Sequence, residues 1–308
     1  MFTQFFAKSR EMGLNYKITG RIIITTHGTY IERKSIAMKK IVSLILAAAM
    51  LLAGSVCFAE GETVMRVGTN AEFYPFEYVD DNGEVAGIDV DIINEIGKDL
   101  GATIEMQNME FDALVPALVS GKLEAVIAGM SITDERKQSV LFSDPYFTST
   151  QVVILAEGSE IATADDLKGK KIGVQLGTTG DIYVTENIEG AEVSRYNKGM
   201  DAALDVLNGR LDAVVIDTLP AKQFATALTG LVVHDDILSD VEVEPYGIAV
   251  PKGQEELVEK INASLKRMQE DGTFDQILLK YVDEQDAAEG EEAVEGEAAE
   301  ATQAPAAD

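Results

Sequence analysis

The sequence is poor in the side chains that build reactive and metal-binding centres. Its 308 residues include only two histidines, His27 and His234, and one cysteine, Cys57. Zinc clusters, Cys/His proteases and disulfide scaffolds each need several of these side chains. We therefore expect no metal site, no cofactor and no catalytic residues of these classes.

Basic residues are also scarce. The chain carries 25 Lys and Arg residues against 53 Asp and Glu residues, a formal net charge of -28. Nucleic-acid phosphates and anionic lipids bind to basic surfaces, so this charge argues strongly against both as partners. The acidic excess is typical of a soluble protein, and we expect a monomer.

The chain lacks a hydrophobic run long enough to span a bilayer, which needs about 20 apolar residues. The uncharged stretch from Ile41 to Ala53 has 13 residues, follows Met38-Lys39-Lys40 and precedes small residues that end at Ala59. A basic start, a short apolar core and a small-residue cleavage site are the three parts of a secretory signal. We interpret residues 1–59 as an N-terminal extension plus signal peptide, with Met38 as the true start.

Cys57 leaves two fates open for the exported chain. Cleavage after Ala59 would give a soluble protein without cysteine, and it is favoured because Val56 is not the small residue that a lipoprotein signal wants before its cysteine. Lipidation of Cys57 would instead anchor the protein. Both fates place it outside the cytoplasmic membrane, in the periplasm or at the cell surface.

The C-terminal residues 283–308 hold ten acidic side chains and no basic ones. Such a segment cannot bury enough apolar surface to offset the entropy of ordering. We predict a disordered acidic tail, which is either simply solvated or an interaction segment.

Between residues 62 and 282 the pattern is that of an α/β protein. Short β-branched runs alternate with amphipathic segments, as in parallel sheets with crossover helices. A weak internal repeat relates residues 112–127 to residues 201–215, and each copy reads as a helix, a glycine stop and a strand. We therefore predict two α/β lobes, whose elements include a helix from Ile88 to Leu100 and strands at residues 123–129 and 246–250.

Polar residues follow the predicted strands, at the edge where ligands bind in open α/β sheets. Arg136 can hold a carboxylate with two parallel hydrogen bonds, and Asp217 can hold an ammonium group. The Thr178-Thr179 turn offers backbone N–H groups at a helix start, where negative charge is favoured. Together with acceptors at Gly129 and Ser131, these groups complement a zwitterionic α-amino acid. Two aromatic rings could flank its side chain, those of Phe73 and Phe111.

Each of these side chains also has a structural interpretation. Arg136 could be an ordinary surface arginine, and Asp217 a buried acid with a structural partner. Thr178 and Thr179 could simply cap a helix, and the two phenylalanines could be core residues. The combination favours a binding site more than any one member does.

Several motifs in this region resemble one known family. They are Gly68-Thr69-Asn70 with Pro75-Phe76-Glu77-Tyr78, Gly87-Ile88-Asp89-Val90-Asp91, Ala128-Gly129-Met130-Ser131-Ile132-Thr133 with Glu135-Arg136, Phe142-Ser143-Asp144-Pro145-Tyr146, Gly177-Thr178-Thr179-Gly180, Asp217, and Glu244-Pro245-Tyr246-Gly247-Ile248. In order and spacing they look like the polar amino-acid receptors of ABC importers, the family 3 extracellular solute-binding proteins. The resemblance runs from about residue 62 to residue 282.

The resemblance implies a two-lobed periplasmic-binding-protein fold of type II. Each lobe would be a mostly parallel sheet flanked by helices, and two hinge strands would join the lobes. Lobe 1 would comprise residues 60–148 and 246–282, and lobe 2 residues 149–245.

The resemblance also implies roles for the site residues. Arg136 would bind the α-carboxylate with help from Thr178 or Thr179. Asp217, Gly129 and Ser131 would take the α-amino group, and Phe73 and Phe111 would flank the side chain. Asn70 and Gln175 match positions that often select the side chain. Several relatives that bind basic amino acids or glutamine have aspartate where Asn70 stands, a departure that weakens the case for a cationic ligand.

The function implied is a receptor, not an enzyme, that traps a polar amino acid between its lobes and delivers it to a membrane permease. Two alternatives remain. One is an enzyme on the same scaffold, similar to a cyclohexadienyl or arogenate dehydratase, and the other is the ligand-sensing module of a separate receptor.

Overall fold

A computed structural model describes residues 63–238 and 241–282. The predicted signal peptide, start residue, Cys57 and acidic tail lie outside this part of the chain. The strands are β1 (Thr63–Thr69), β2 (Glu72–Phe73), β3 (Glu77–Val79), β4 (Val85–Ala86), β5 (Ala102–Asn108), β6 (Ala125–Val126), β7 (Val140–Phe142), β8 (Phe147–Ser149), β9 (Gln151–Ala156), β10 (Lys171–Gln175), β11 (Glu192–Tyr196), β12 (Ala213–Asp217), β13 (Leu231–His234), β14 (Glu244–Tyr246) and β15 (Ala249–Pro251). The α-helices are α1 (Ile88–Leu100), α2 (Phe111–Val119), α3 (Asp134–Ser139), α4 (Thr179–Asn187), α5 (Gly199–Leu207), α6 (Thr218–Ala227), α7 (Glu255–Asp271) and α8 (Thr273–Leu278), and a 3-10 helix spans Ala164–Leu167.

Two five-stranded sheets form the two lobes, and they share one arrangement. The first has the order β5-β1-β6-β15-β7 and the second the order β11-β10-β12-β9-β13. In each sheet the first three strands pair in parallel, and the last two add antiparallel pairings. The two-lobed α/β class with mostly parallel sheets is confirmed, because in each sheet only one strand, β15 or β9, runs antiparallel to the other four.

The internal repeat occupies equivalent places in the two lobes. The helix–glycine–strand units end in β6 and β12, which are the third strands of their sheets. Gly68 on β1 and Gly173 on β10 lie against the repeat, because an added Cβ would come within 2.4 Å of Leu123 Cδ1 and 2.6 Å of Leu211 Cδ1. Both glycines therefore allow the leucine before the third strand to pack directly on the sheet.

Two short strands connect the lobes. The chain passes from the first sheet to the second through β8 and returns through β14, and these two strands pair antiparallel with each other. We predicted one strand from Tyr246 to Val250, and this is wrong: β14 ends at Tyr246 and β15 begins at Ala249. The break at Gly247 is where the chain leaves the connecting strands and enters the first sheet.

Helices cover both faces of each sheet. In α1 the fully buried Ile88, Ile92, Ile93 and Ile96 form one apolar face, and the helix ends at Gly101, whose φ of 64° is left-handed. Helices α1, α7 and α8 pack together beside the first sheet, with α2 also in contact with it, while α5, α6 and α4 contact the second. Among the described residues, no helix is long and apolar enough to cross a membrane.

Candidate functional site

The carboxyl ends of four parallel strands converge on one cavity. Asn70 follows β1, Gly129 lies just beyond β6, Gln175 ends β10 and Asp217 ends β12. The cavity is small in this arrangement of the lobes, with about 10 Å³ of free space. Its lining comes from both lobes and comprises Asn70, Phe73, Glu77, Phe111, Ala128, Gly129, Ser131, Gln175, Thr178, Thr179 and Asp217. Of the ten predicted site residues, all but Arg136 line it.

Asp217 presents a buried carboxylate to this cavity. It is 5% exposed, and the Tyr246 hydroxyl donates a hydrogen bond to its Oδ1 at 2.6 Å. Burial and the nearby charge of Glu244 raise the pKa of Asp217 to about 7, although the hydrogen bonds from Tyr246 and Gln151 act in the opposite direction. A group in this state gains strongly from a cationic partner, because the partner offsets the cost of burying its charge.

Arg136 lies beside the cavity and bridges the two lobes. Its Nη1 donates to the Ser131 carbonyl at 2.7 Å, and its Nη2 donates to the Gly177 carbonyl at 3.2 Å. The guanidinium carbon lies 5.3 Å from the ring centroid of Phe111. Burial lowers the pKa of Arg136, while the charges of Glu244 and Asp217 oppose this shift. A guanidinium has five N–H donors, so these two bonds leave others for a carboxylate.

The two threonines at the start of α4 differ in their contacts. Thr178 caps the helix: its hydroxyl accepts from the Asp181 N–H at 3.3 Å and donates to the Gln175 carbonyl at 2.8 Å. The Thr179 hydroxyl instead donates to Glu244 at 2.6 Å. Because the first N–H groups of a helix have no intrahelical acceptor, α4 presents partial positive charge at this end of the cavity.

The two predicted aromatic residues have different surroundings. Phe73 is 6% exposed and stacks against Phe76 with ring centroids 6.0 Å apart. A Cβ on Gly129 would lie 2.8 Å from the Phe73 ring, so glycine at this position allows the ring to close on the chain. Phe111 is half-buried and lies under the Arg136 guanidinium. Each ring therefore has a packing role in addition to its place in the cavity wall.

Asn70 and Gln175 bond directly to each other across the lobes. The Gln175 Nε2 donates to the Asn70 Oδ1 at 2.8 Å, and the Asn70 Nδ2 donates to the Met109 carbonyl at 2.8 Å. Both side chains are 3% exposed. These bonds fix the direction of both amides at one end of the cavity.

Glu77 is a fully buried carboxyl in the cavity wall, and it lies against another buried carboxyl, that of Asp89. With both groups ionised neither Glu77 oxygen has a hydrogen-bond donor among the described residues, whereas a proton on Glu77 lets it donate to Asp89. Burial, reinforced by the charge of the adjacent Asp89, raises the pKa of Glu77 well above its usual range. A buried carboxyl without a cation or a donor needs a proton or a cationic partner.

The carboxyl of Asp89 lies next to that of Glu77. It accepts from the Gly129 N–H at 2.8 Å and from the Tyr146 hydroxyl at 2.9 Å, and burial raises its pKa to about 6. The Asp89 position was not predicted as part of the site. Its signal in the sequence was available, since an acid at residue 89 lies on the apolar face formed by Ile92, Ile93 and Ile96.

Two further polar residues were missed by the sequence analysis. Glu244 at the start of β14 accepts from the hydroxyls of Ser131 and Thr179, and Gln151 at the start of β9 donates to Thr179 at 3.2 Å. Glu244 appeared only inside a family motif, and no periodicity there indicated which way its side chain points. Among the described residues, no group of histidine, cysteine, aspartate or glutamate side chains could hold a metal ion.

Comparison with known proteins gives consistent relatives. The chain is 38% identical over 257 residues to a probable histidine-binding protein of Neisseria gonorrhoeae, covering 79% of this chain and 96% of that protein. It is 35% identical over 239 residues to a putative ABC transporter arginine-binding protein of Escherichia coli, covering 77% and 98%. The crystal structure of an ancestral amino acid-binding protein, AncCDT-1, described as a precursor of cyclohexadienyl dehydratase, has a TM-score of 0.67 and 37% identity, covering 71% of this chain and 96% of that one.

These relatives confirm the class of protein that the motifs predicted, a solute-binding receptor of amino-acid ABC transport. The model of the bacterial extracellular solute-binding proteins, family 3, matches residues 65–284. The chain therefore belongs to family 3 of the bacterial extracellular solute-binding proteins.

Proposed function

We propose that this receptor captures an amino acid with a positively charged side chain between its lobes and delivers it to an ABC permease. The observation that carries the choice of side chain is Glu77, a fully buried carboxyl in the cavity wall that lies against Asp89 and has no cationic partner among the described residues. The names of the two relatives, histidine-binding and arginine-binding, support the same class of ligand.

The backbone of the amino acid would be held at the Arg136–Asp217 end of the cavity. Arg136 and the first turn of α4 suit a carboxylate, because both present positive charge with N–H donors. Asp217, the Ser131 hydroxyl and the Gly129 carbonyl suit the α-ammonium group. Phe73 and Phe111 would flank the aliphatic part of the side chain.

The cationic end of the side chain would pair with Glu77. In the ligand-bound state the cation offsets the cost of ionising Glu77 in a buried place beside Asp89. The amide pair of Asn70 and Gln175 supplies further polar contacts nearby. Residue 70 is not an aspartate, but Glu77, seven residues later in the motif around Phe76, supplies an anionic group that could select a cation.

Closure would follow from contacts that only the closed state can make. The cavity wall combines residues of the first lobe with Gln175, Thr178, Thr179 and Asp217 of the second. A ligand that touches both sets binds the closed state better than the open one and shifts the equilibrium by that difference. The lobe bounds of residues 60–148 and 246–282 against 149–245 belong to this proposal, as does a monomeric receptor.

A ligand panel tests the proposed function. We expect arginine, lysine, ornithine and histidine to raise the melting temperature and bind at micromolar or lower Kd in calorimetry, because binding to the native state alone stabilises it. Citrulline, which keeps the shape of arginine without the charge, should bind at least about tenfold more weakly. Tighter binding of citrulline than of arginine would contradict the cationic class, and no binding of any amino acid would contradict the receptor.

A turnover assay distinguishes binding from catalysis. We propose that the chain binds without turnover, so excess arogenate or prephenate should give no product over hours of incubation. The relation to AncCDT-1 makes this control necessary, because that protein is described as a precursor of a dehydratase. Product formation at a rate above the uncatalysed control would instead support the enzyme.

Binding should strengthen as the pH rises from about 5.5 to about 8. The α-ammonium requires ionised Asp217, whose pKa is about 7 in the free protein, so protonation at lower pH competes with the ligand. Citrulline should therefore lose up to about tenfold in affinity per pH unit below pH 7. Arginine should lose more, because Glu77, beside Asp89 and Asp217, must also give up its proton. Calorimetry across this range measures both slopes, and equal slopes would contradict the role of Glu77.

Export is the remaining part of the proposed function. Residues 38–59 would act as a secretory signal, with cleavage after Ala59 favoured over lipidation of Cys57. Mass spectrometry of the mature protein would distinguish the two, since cleavage after Ala59 leaves an N-terminus at Glu60 and lipidation leaves a modified cysteine.

A further inference from the structure

Glu244 lies behind the cavity wall and receives two hydroxyl hydrogen bonds at one oxygen. The Ser131 Oγ donates to its Oε2 at 2.7 Å and the Thr179 Oγ1 donates to the same atom at 2.6 Å. Ser131 and Thr179 line both the cavity and an outer groove, whereas Glu244 lines only the groove. The two hydroxyls therefore stand between the carboxylate and the cavity.

The donor count fixes the direction of both hydroxyls. Each has one proton and two lone pairs, and an ionised carboxylate can only accept. Because both protons point to Glu244, the Ser131 and Thr179 oxygens turn lone pairs away from it. One lone pair of Thr179 accepts from the Gln151 Nε2 at 3.2 Å. These two oxygens can therefore only accept hydrogen bonds from a ligand, which favours an ammonium group beside them and disfavours a carboxylate.

Glu244 connects the two lobes through its hydrogen bonds to Ser131 and Thr179. It is the first residue of β14, one of the two connecting strands, and its partners come from the loop after β6 in the first lobe and from the start of α4 in the second. Its charge also acts on both polar ends of the site, because it raises the pKa of Arg136 and of Asp217.

We infer that Glu244 is a positioning residue that sets the direction in which the amino acid binds. By taking the protons of Ser131 and Thr179, it makes their two hydroxyl oxygens acceptors for the α-ammonium group and leaves the carboxylate to Arg136 and the backbone N–H groups of α4. This inference rests on the proposed function, and it adds a residue that would act through two hydroxyls without touching the ligand.

A double-variant cycle tests it with arginine as the probe. Glu244→Gln keeps the size of the side chain but supplies an amide that can donate, so it should weaken binding about tenfold. Ser131→Ala should also weaken binding. If Glu244 acts through this hydroxyl, the double variant should lose less than the product of the two single losses. The inference would be overturned if the double variant of Glu244→Gln with Ser131→Ala lost the full product of the two single losses, and if the double variant with Thr179→Val did the same.

Glu242→Gln is the matched control. Glu242 is exposed, lies two residues away and lines the same outer groove, so the substitution removes the same charge without touching either hydroxyl. It should change arginine affinity by less than about twofold. An equal loss in both variants would mean a general charge effect and would also overturn the inference.

A second pair of variants separates the hydroxyl from the fold. Thr179→Ser keeps the hydroxyl and should lose less affinity than Thr179→Val, which removes the hydroxyl at similar size. Melting temperatures without ligand check that each variant is folded. If the wild type binds no amino acid of the panel, the proposed function itself fails; if the wild type binds and Glu244→Gln is unaffected, only the role of Glu244 fails.

Discussion

Replacement of Arg136 by alanine is expected to weaken amino-acid binding by about 100-fold or more, equal to about 2.8 kcal/mol. The guanidinium lies beside the cavity, where burial lowers its pKa and the carbonyls of Ser131 and Gly177 hold it in place. A ligand carboxylate without it would be desolvated and left without its charged partner. Calorimetry on the purified variant measures the loss.

Lys137→Ala is the matched control for this substitution. Lys137 is the next residue of α3, is exposed and has a salt bridge of 3.5 Å to Asp134, which is itself almost fully exposed. Exposed pairs of this kind contribute at most about 1 kcal/mol, so the control should change affinity by less than about twofold. Arg136→Lys should be intermediate, since it keeps the charge and loses the paired donors. Unchanged affinity in Arg136→Ala would exclude this residue from the site.

Substitution of Glu77 by glutamine is expected to reverse the preference between arginine and citrulline. Arginine should bind about 100-fold more weakly, because its guanidinium loses a fully buried counter-charge. Citrulline should bind about as well as to the wild type, because it needs no charge on residue 77 and the raised pKa of Glu77 already keeps that group neutral. Parallel titrations with the two ligands measure the change. Because arginine and citrulline have nearly the same shape, the difference between their affinities reports the effect of the ligand's charge.

The control for Glu77 is Glu84→Gln in the same region. Glu84 is exposed and separated from the cavity, so its substitution should leave the ratio of arginine to citrulline affinity unchanged. The Glu77→Gln protein should fold at least as well as the wild type, since a fully buried carboxyl is replaced by an uncharged group of the same size. A fall in affinity that is equal for both ligands would mean that Glu77 supports the cavity without recognising charge.

The elements that were predicted well are those with a strong local signal. Helix α1 has four buried isoleucines at helical spacing and a left-handed glycine at its end, and the prediction from Ile88 to Leu100 matches its bounds. Strand β6 was predicted as seven residues but pairs over only Ala125–Val126. An apolar run in the sequence indicates that a segment is buried. The number of residues that pair in the sheet depends instead on how far the neighbouring strands extend, and the local pattern holds no information about those neighbours.

The membership of the site was also accessible from the sequence. Because ligands bind beyond the carboxyl ends of parallel strands, the polar residues after β1, β6, β10 and β12 could be named before their positions were known. Nine of the ten named residues line the cavity. Arg136 lies just outside the lining, because its guanidinium turns to the carbonyls of Ser131 and Gly177.

The sequence by itself determined the two-lobed α/β fold and the strand ends that carry polar side chains, because hydrophobic periodicity and the succession of helices and strands along the chain are encoded locally. Only the tertiary structure decided what those side chains face. The tertiary structure buries Glu77 against Asp89, joins Asn70 to Gln175 and directs two hydroxyl protons to Glu244. The last two features join groups more than 60 residues apart in the chain. A side chain's charge state and hydrogen-bond direction follow from such neighbours, so they emerge only when the lobes are assembled.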